Sequence, residues 1–66
     1  MKTKIKELRQ AGNISQETLA QAVGVTRQTI ISLENEKYTA SLVLAYKIAR
    51  YFGKGIEEIF DFSEVE

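Results

Sequence analysis

The chain has 66 residues, zero formal net charge, and neither cysteine nor histidine. Disulfides, zinc fingers, thiol chemistry and histidine acid–base catalysis are therefore excluded. Zero net charge hides an asymmetry: residues 1–54 carry all nine Lys and Arg against four acids, whereas residues 55–66 carry five acids and no base. A basic body with an acidic end suits a nucleic-acid face placed away from that end.

A composition of 44% hydrophobic and 27% charged residues is that of an ordinary globular domain, here expected to be a single one over 1–66 with its core in 4–60. No apolar run approaches the roughly 18–20 residues of a membrane span, and no signal-peptide pattern opens the chain, so no membrane is involved and the cytoplasm is the expected location. So short a chain buries a modest core, and a second subunit is one way to complete it.

Helical spacing dominates the chain. The first predicted helix, Lys4–Ala11, places Ile5 and Leu8 on one face and stops at Gly12-Asn13. Ser15 is the N-cap of a second helix, Gln16–Val23, with Leu19, Ala20 and Val23 inward and Gly24 as its C-cap. Thr26 caps a third, Arg27–Asn35, with Ile30 and Leu33 inward. After the polar Glu36–Ala40, a fourth helix runs from Thr39 or Ser41 to Phe52 and turns Leu42, Ala45, Ile48, Ala49 and Phe52 inward. Gly53-Lys54-Gly55 breaks it, and Ile56–Phe60 is a short fifth helix. Lys47, Arg50 and Lys54 form one helical stripe, read as a solvated face with a backbone-contacting edge as the alternative, and Tyr38, Tyr46 and Tyr51 read as core-edge or interface residues. The fold class is all-α: a compact five-helix domain.

The second and third helices are joined by a short turn that opens on glycine, the spacing of a helix-turn-helix, whose two helices cross at about 90–120°. Small Ala20 permits close approach, Gly24 permits the left-handed turn, and Val25 plugs the turn into the core. With Ile30 and Leu33 inward, Arg27, Gln28, Ile31 and Ser32 face outward. Arginine pairs with guanine O6 and N7, and glutamine with adenine N6 and N7, each through two coplanar hydrogen bonds. Both residue types stand at a helix N-terminus, where such units place base contacts and where free N–H groups attract phosphate. Gln16 holds the matching first turn of the second helix, and Thr26, Thr29, Asn35 and Lys37 are further candidates for phosphate contact. No nucleophile stands with a partner base and no glycine-rich phosphate loop or metal cluster is present, so neither an enzyme nor a cofactor or metal is expected.

These strings resemble the Cro/repressor-type helix-turn-helix family, also called xenobiotic-response-element-like. The matching segments are Ile14-Ser15-Gln16-Glu17-Thr18-Leu19-Ala20, Val25-Thr26-Arg27-Gln28-Thr29-Ile30, Leu33-Glu34-Asn35, Lys47-Ile48-Ala49 and Ile56-Glu57-Glu58-Ile59-Phe60. In length the chain is similar to small stand-alone bacterial repressors. The resemblance implies base reading by Arg27, Gln28 and Ser32 with Ile31 beside them, and backbone contacts from Gln16, Thr29, Asn35 and Lys37. It implies an internal ion pair between Arg9 and Glu34. It also implies a homodimer on a palindromic operator, and a short antiparallel sheet formed by the chain termini. The dimer surface is expected at Ile56, Ile59, Phe60, Phe62 and Val65, within a C-terminal element 56–66. Repression is the expected outcome, with no small-molecule effector domain. The same unit also occurs in antitoxins and in protein-interaction modules. The chain departs from the family pattern at Ile31, at Glu36 (often glycine), at Ala40 (often proline) and at Gly55 (often a hydroxyl cap).

Overall fold

Hydroxyl caps start three of the helices. In the computed structural model, which describes residues 1–65, the side chain of Ser15 accepts the N–H of Thr18 at 3.0 Å, that of Thr26 accepts Thr29 at 3.3 Å, and that of Ser41 accepts Leu44 at 3.2 Å. Each satisfies an N–H that has no partner inside its helix. Among the described residues the helices are α1 (Ile5–Ala11), α2 (Gln16–Val23), α3 (Arg27–Glu34), α4 (Leu42–Phe52) and α5 (Ile56–Ile59). The architecture is therefore the expected all-α one, with boundaries within a residue or so of those read from the sequence. The longest helix has 11 residues, and no helix is long and apolar enough to cross a membrane.

The first four helices end alike. In each, a residue just past the end takes positive φ, and two N–H groups reach back to carbonyls of the last turn. The positive-φ residues are Asn13 (55°), Gly24 (76°), Glu36 (62°) and Gly53 (67°). The closing bonds run from Ile14 to Arg9 (2.9 Å), Val25 to Ala20 (3.0 Å), Lys37 to Ser32 (3.0 Å) and Lys54 to Ala49 (3.0 Å). This is the Schellman arrangement. Glycine adopts that backbone without cost and asparagine nearly so, but glutamate does not. At the end of α1 the left-handed residue is Asn13; Gly12 sits at φ −95°. α5 has no hydroxyl cap at Gly55, and the Glu58 carboxylate instead accepts the Gly55 N–H at 3.1 Å.

The core joins one face of every helix: Ile5 from α1, Leu19, Ala20 and Val23 from α2, Ile30 and Leu33 from α3, Leu44, Ala45, Ile48 and Ala49 from α4, and Ile59 with Phe60 at the end of α5. Val25 packs against this cluster from the α2–α3 turn, as its position in the sequence suggested.

Two expectations are corrected. Leu42 does not face inward; it is 78% exposed. The buried arc of α4 runs through Leu44, Ala45, Ile48 and Ala49, and Leu42 lies at its edge on the first helical residue, where no helix packs over it. The terminal sheet shrinks to one isolated antiparallel bridge, Thr3 to Phe60. It is flanked by Lys4 N–H to the Ile59 carbonyl (2.8 Å) and Asp61 N–H to the Lys2 carbonyl (2.9 Å). α1 begins at Ile5 and α5 ends at Ile59, so too little extended chain is left at this contact for a ladder.

Candidate nucleic-acid interface

The caps of α2 and α3 set the geometry of the exposed edge between them. Both N-termini are capped by Ser15 and Thr26, and Gln16 and Arg27 each occupy a first helical position. The structure brings these two side chains together: Arg27 Nε donates to Gln16 Oε1 at 3.3 Å. Gln16 Nε2 in turn donates to Glu34 Oε1 at 3.1 Å. Glu34 also takes both prongs of Arg9, with Nε to Oε2 at 2.7 Å and Nη2 to Oε1 at 3.1 Å. Arg9 Nη1 completes its bonding on the Ile14 carbonyl at 3.0 Å.

The result is a chain of hydrogen bonds from α1 through α3 to the start of α2 and back to α3. The polarity of each link is fixed by the one before it. A carboxylate only accepts, so Glu34 takes the NH2 end of the Gln16 amide and leaves its carbonyl end for Arg27. Arg27 is thereby held at Nε. Among the described residues its two terminal nitrogens make no protein hydrogen bond.

The charges in this chain are stabilised in their ionised forms. Burial by itself pushes the Glu34 carboxyl up. Hydrogen bonds from Arg9 and Gln16, with the charges of Arg9 and Lys6, outweigh burial and hold it below its ordinary value. The bond to Glu34 pushes the Arg9 guanidinium above its ordinary value, with desolvation opposing. The side chains are 12% and 4% exposed, so this pair is largely removed from solvent. The resemblance implied the Arg9–Glu34 pair. It did not reveal that Gln16 and Arg27 extend it. The signal lay in residue type, since a glutamine and an arginine at the first positions of two crossing helices can meet tip to tip.

The remaining candidates divide. Gln28, Asn35 and Lys37 are exposed, as is Thr26; Ser32, Ile31 and Thr29 are half-buried. The Thr26 and Thr29 hydroxyls lie 3.1 Å apart and bond to each other. Glu36 lies elsewhere, lining a groove with Lys2, Lys4, Glu7, Glu57 and Asp61 beside the bridged chain ends. Ile59 and Phe60, expected at a subunit surface, are 1% and 2% exposed and belong to the chain's own core. They are apolar because they pack into the core cluster, and Phe60 also forms a wall of an apolar groove beside α4. Ile56 and Phe62 are half-buried and Val65 is exposed; Glu66, the last residue of the expected element, lies outside the described residues.

The helix-turn-helix family pattern matches residues 5–59. The chain belongs to the helix-turn-helix family, of the Cro/C1 type. An HTH-type transcriptional regulator of Archaeoglobus fulgidus is 58% identical over 66 residues, covering 100% of this chain and 93% of the relative. One from Methanocaldococcus jannaschii is 52% identical across the full length of both chains. The HTH-type regulator YgzD of Bacillus subtilis is 48% identical over 60 residues, 91% of each chain. Among solved structures, the restriction-modification controller protein C.AhdI of Aeromonas hydrophila superposes with a TM-score of 0.79 at 35% identity, covering 86% of each chain. This member of the Cro/C1-type family is thus a DNA-binding transcriptional regulator, and its relatives are archaeal as well as bacterial.

Proposed function

We propose that this regulator is a sequence-specific repressor that binds a palindromic duplex operator as a homodimer. The observation that supports this best is the held Arg27. Its Nε is tied to Gln16 at the first turn of α3, and the rest of its guanidinium is free of protein partners among the described residues. An arginine fixed in this way has already given up part of the side-chain freedom that pairing with guanine would cost, and its two terminal nitrogens match O6 and N7. Gln28 beside it, Ser32 one turn on and Ile31 between them complete the base-reading set, with Ile31 offering apolar contact to a thymine methyl.

Backbone contacts fall to Gln16, Thr26, Thr29, Asn35 and Lys37. Gln16 uses one of its two amide hydrogens on Glu34 and keeps the other for a phosphate. Two recognition helices would enter successive major grooves about 34 Å apart. Occupancy of such a site blocks polymerase without a bound effector.

The test is selection of bound sequences from random duplex DNA, followed by titration of Arg27→Ala at fixed salt. A palindromic site is expected. Loss of one good bidentate contact is worth about 1–3 kcal/mol, or roughly a five- to hundred-and-fifty-fold weaker complex with relaxed preference at one base pair. Unchanged binding by Arg27→Ala would remove Arg27 from the interface. A reading as one member of a protein pair, such as an antitoxin, draws on a different observation, the exposed apolar residues of α4.

A further inference from the structure

The exposed large apolar residues of the described chain concentrate at the start of α4. Leu42 is 78% exposed, Val43 63% and Tyr46 55%. Tyr46 lies one turn on from both Leu42 (i, i+4) and Val43 (i, i+3), so the three share one patch of the helix. Directly beside them lies a groove of about 230 Å³, with Leu42 on its rim and Met1, Ala45, Ile56, Phe60 and Phe62 among its walls. Val65 follows in a turn whose N–H closes on the Phe62 carbonyl at 3.0 Å, and it too is exposed. The segment from Tyr38 to Tyr46 carries no charged residue, although 27% of the chain is charged. Monomer surfaces rarely keep such a patch contiguous and uncharged.

We infer that a second copy of this chain docks on this face, with α4 against its symmetry mate. The inference rests on the homodimer reading above and locates its surface, moving it from the expected α5 and tail to the first turns of α4. Three features select a copy of the chain over another protein. The patch contains both a knob, Leu42 and Val43, and a hole, the adjoining groove. A two-fold contact is self-complementary, and this combination allows it, since each copy supplies both parts. The patch is also electrostatically neutral from Tyr38 to Tyr46, so two copies can face each other without juxtaposing like charges, whereas nothing in it would steer a charged partner. Finally, a standard interface takes about 800 Å² from each partner. That is under a fifth of this chain's 4368 Å² and within reach of one helix face with its adjoining groove and turn. The expected Ile56 and Phe62 keep a part, as groove walls.

The test is the oligomeric state of the full chain by sedimentation equilibrium from 1 to 100 µM, a range of about two decades around typical weak-dimer constants. Four proteins are compared: wild type, Val43→Glu, Val43→Lys, and Gln10→Glu as a charge control on the exposed side of α1. Wild type and Gln10→Glu are expected to dimerise with the same constant. Both Val43 variants are expected to dimerise at least tenfold more weakly while keeping wild-type helicity by circular dichroism, because Val43 is outside the core. Weakening by either sign of charge identifies burial as the cause. A monomeric wild type across the range would overturn the homodimer reading itself. A dimeric wild type whose constant is unmoved by both Val43 variants would overturn this surface and leave the dimer standing.

Discussion

The edge between α2 and α3 and the first turns of α4 are both open to solvent, yet they are built on opposite rules. At the α2–α3 edge four long polar side chains are tied together: Arg9, Glu34, Gln16 and Arg27 form one hydrogen-bonded chain. At the start of α4 the outward side chains Leu42, Val43 and Tyr46 are apolar, and no described residue covers them. The first arrangement fixes the direction of a charged group before any ligand arrives. The second leaves apolar area whose burial becomes favourable only when another surface meets it. A surface that must read chemical detail and one that must merely be covered therefore leave different marks: order in the first, absence of charge in the second.

The largest effect that would break this comparison is on the Arg9–Glu34 pair. Removing one partner of a largely buried ion pair strands the other, at a cost of about 3 kcal/mol. Arg9→Ala is expected to show that loss in urea unfolding. For a domain of this size it corresponds to a melting point lower by more than about 10 °C. Lys47→Ala on the solvated face of α4 should stay within about 0.5 kcal/mol of wild type. If Arg9→Ala cost less than about 1 kcal/mol, the pair would behave as a surface one and the polar edge would not be rigid.

Much of this was legible in the sequence because caps and breakers are local. Ser15, Thr26 and Ser41 start helices, and Gly24 and Gly53 end them, for reasons that need no tertiary contact. Ile30 and Leu33 also fell inward as helical spacing required. Leu42 misled because a leucine at the edge of an apolar arc has the right period but no neighbour overhead. Ile59 and Phe60 misled in the opposite sense: apolar residues near a chain end can seal the chain's own core as well as an interface, and only packing separates the two. The Gln16–Glu34 and Gln16–Arg27 bonds span 18 and 11 residues, so no local rule could show them.

A second, smaller effect concerns pH. The Glu34 carboxyl is held below its ordinary value in the folded chain, so the unfolded chain takes up the proton first as the pH falls. The stabilisation is therefore complete above the ordinary carboxylate value of about 4.3 and declines as pH falls below it towards the folded value. The gap in urea midpoint between wild type and Glu34→Gln should be constant from about pH 7 to 5 and should narrow below about pH 4. Asp61 is also held down, first by the Ser63 N–H, but it is present in both proteins and cancels in the difference. A gap that stays level into acid would show that Glu34 is not the ionised centre of the polar edge.

The smallest effect sharpens the account of how α3 ends. Three of the four Schellman ends have glycine or asparagine at the left-handed residue, and the fourth has Glu36 at φ 62°. A side chain there costs about 1–2 kcal/mol. Glycine would remove that strain but would lose about 0.5–1 kcal/mol to the greater freedom of the unfolded chain. Glu36→Gly is thus expected to stabilise the protein by about 0.5–1 kcal/mol, read as a rise in urea midpoint at unchanged slope. Glu36 also shares its groove with Glu7, Glu57, Glu58 and Asp61 as well as Lys2 and Lys4, so the change in local charge is a competing cause. Glu36→Gln separates the two, since it removes the charge and keeps the strained backbone. If Glu36→Gln gained as much as Glu36→Gly, charge and not backbone conformation would be what this position costs the fold.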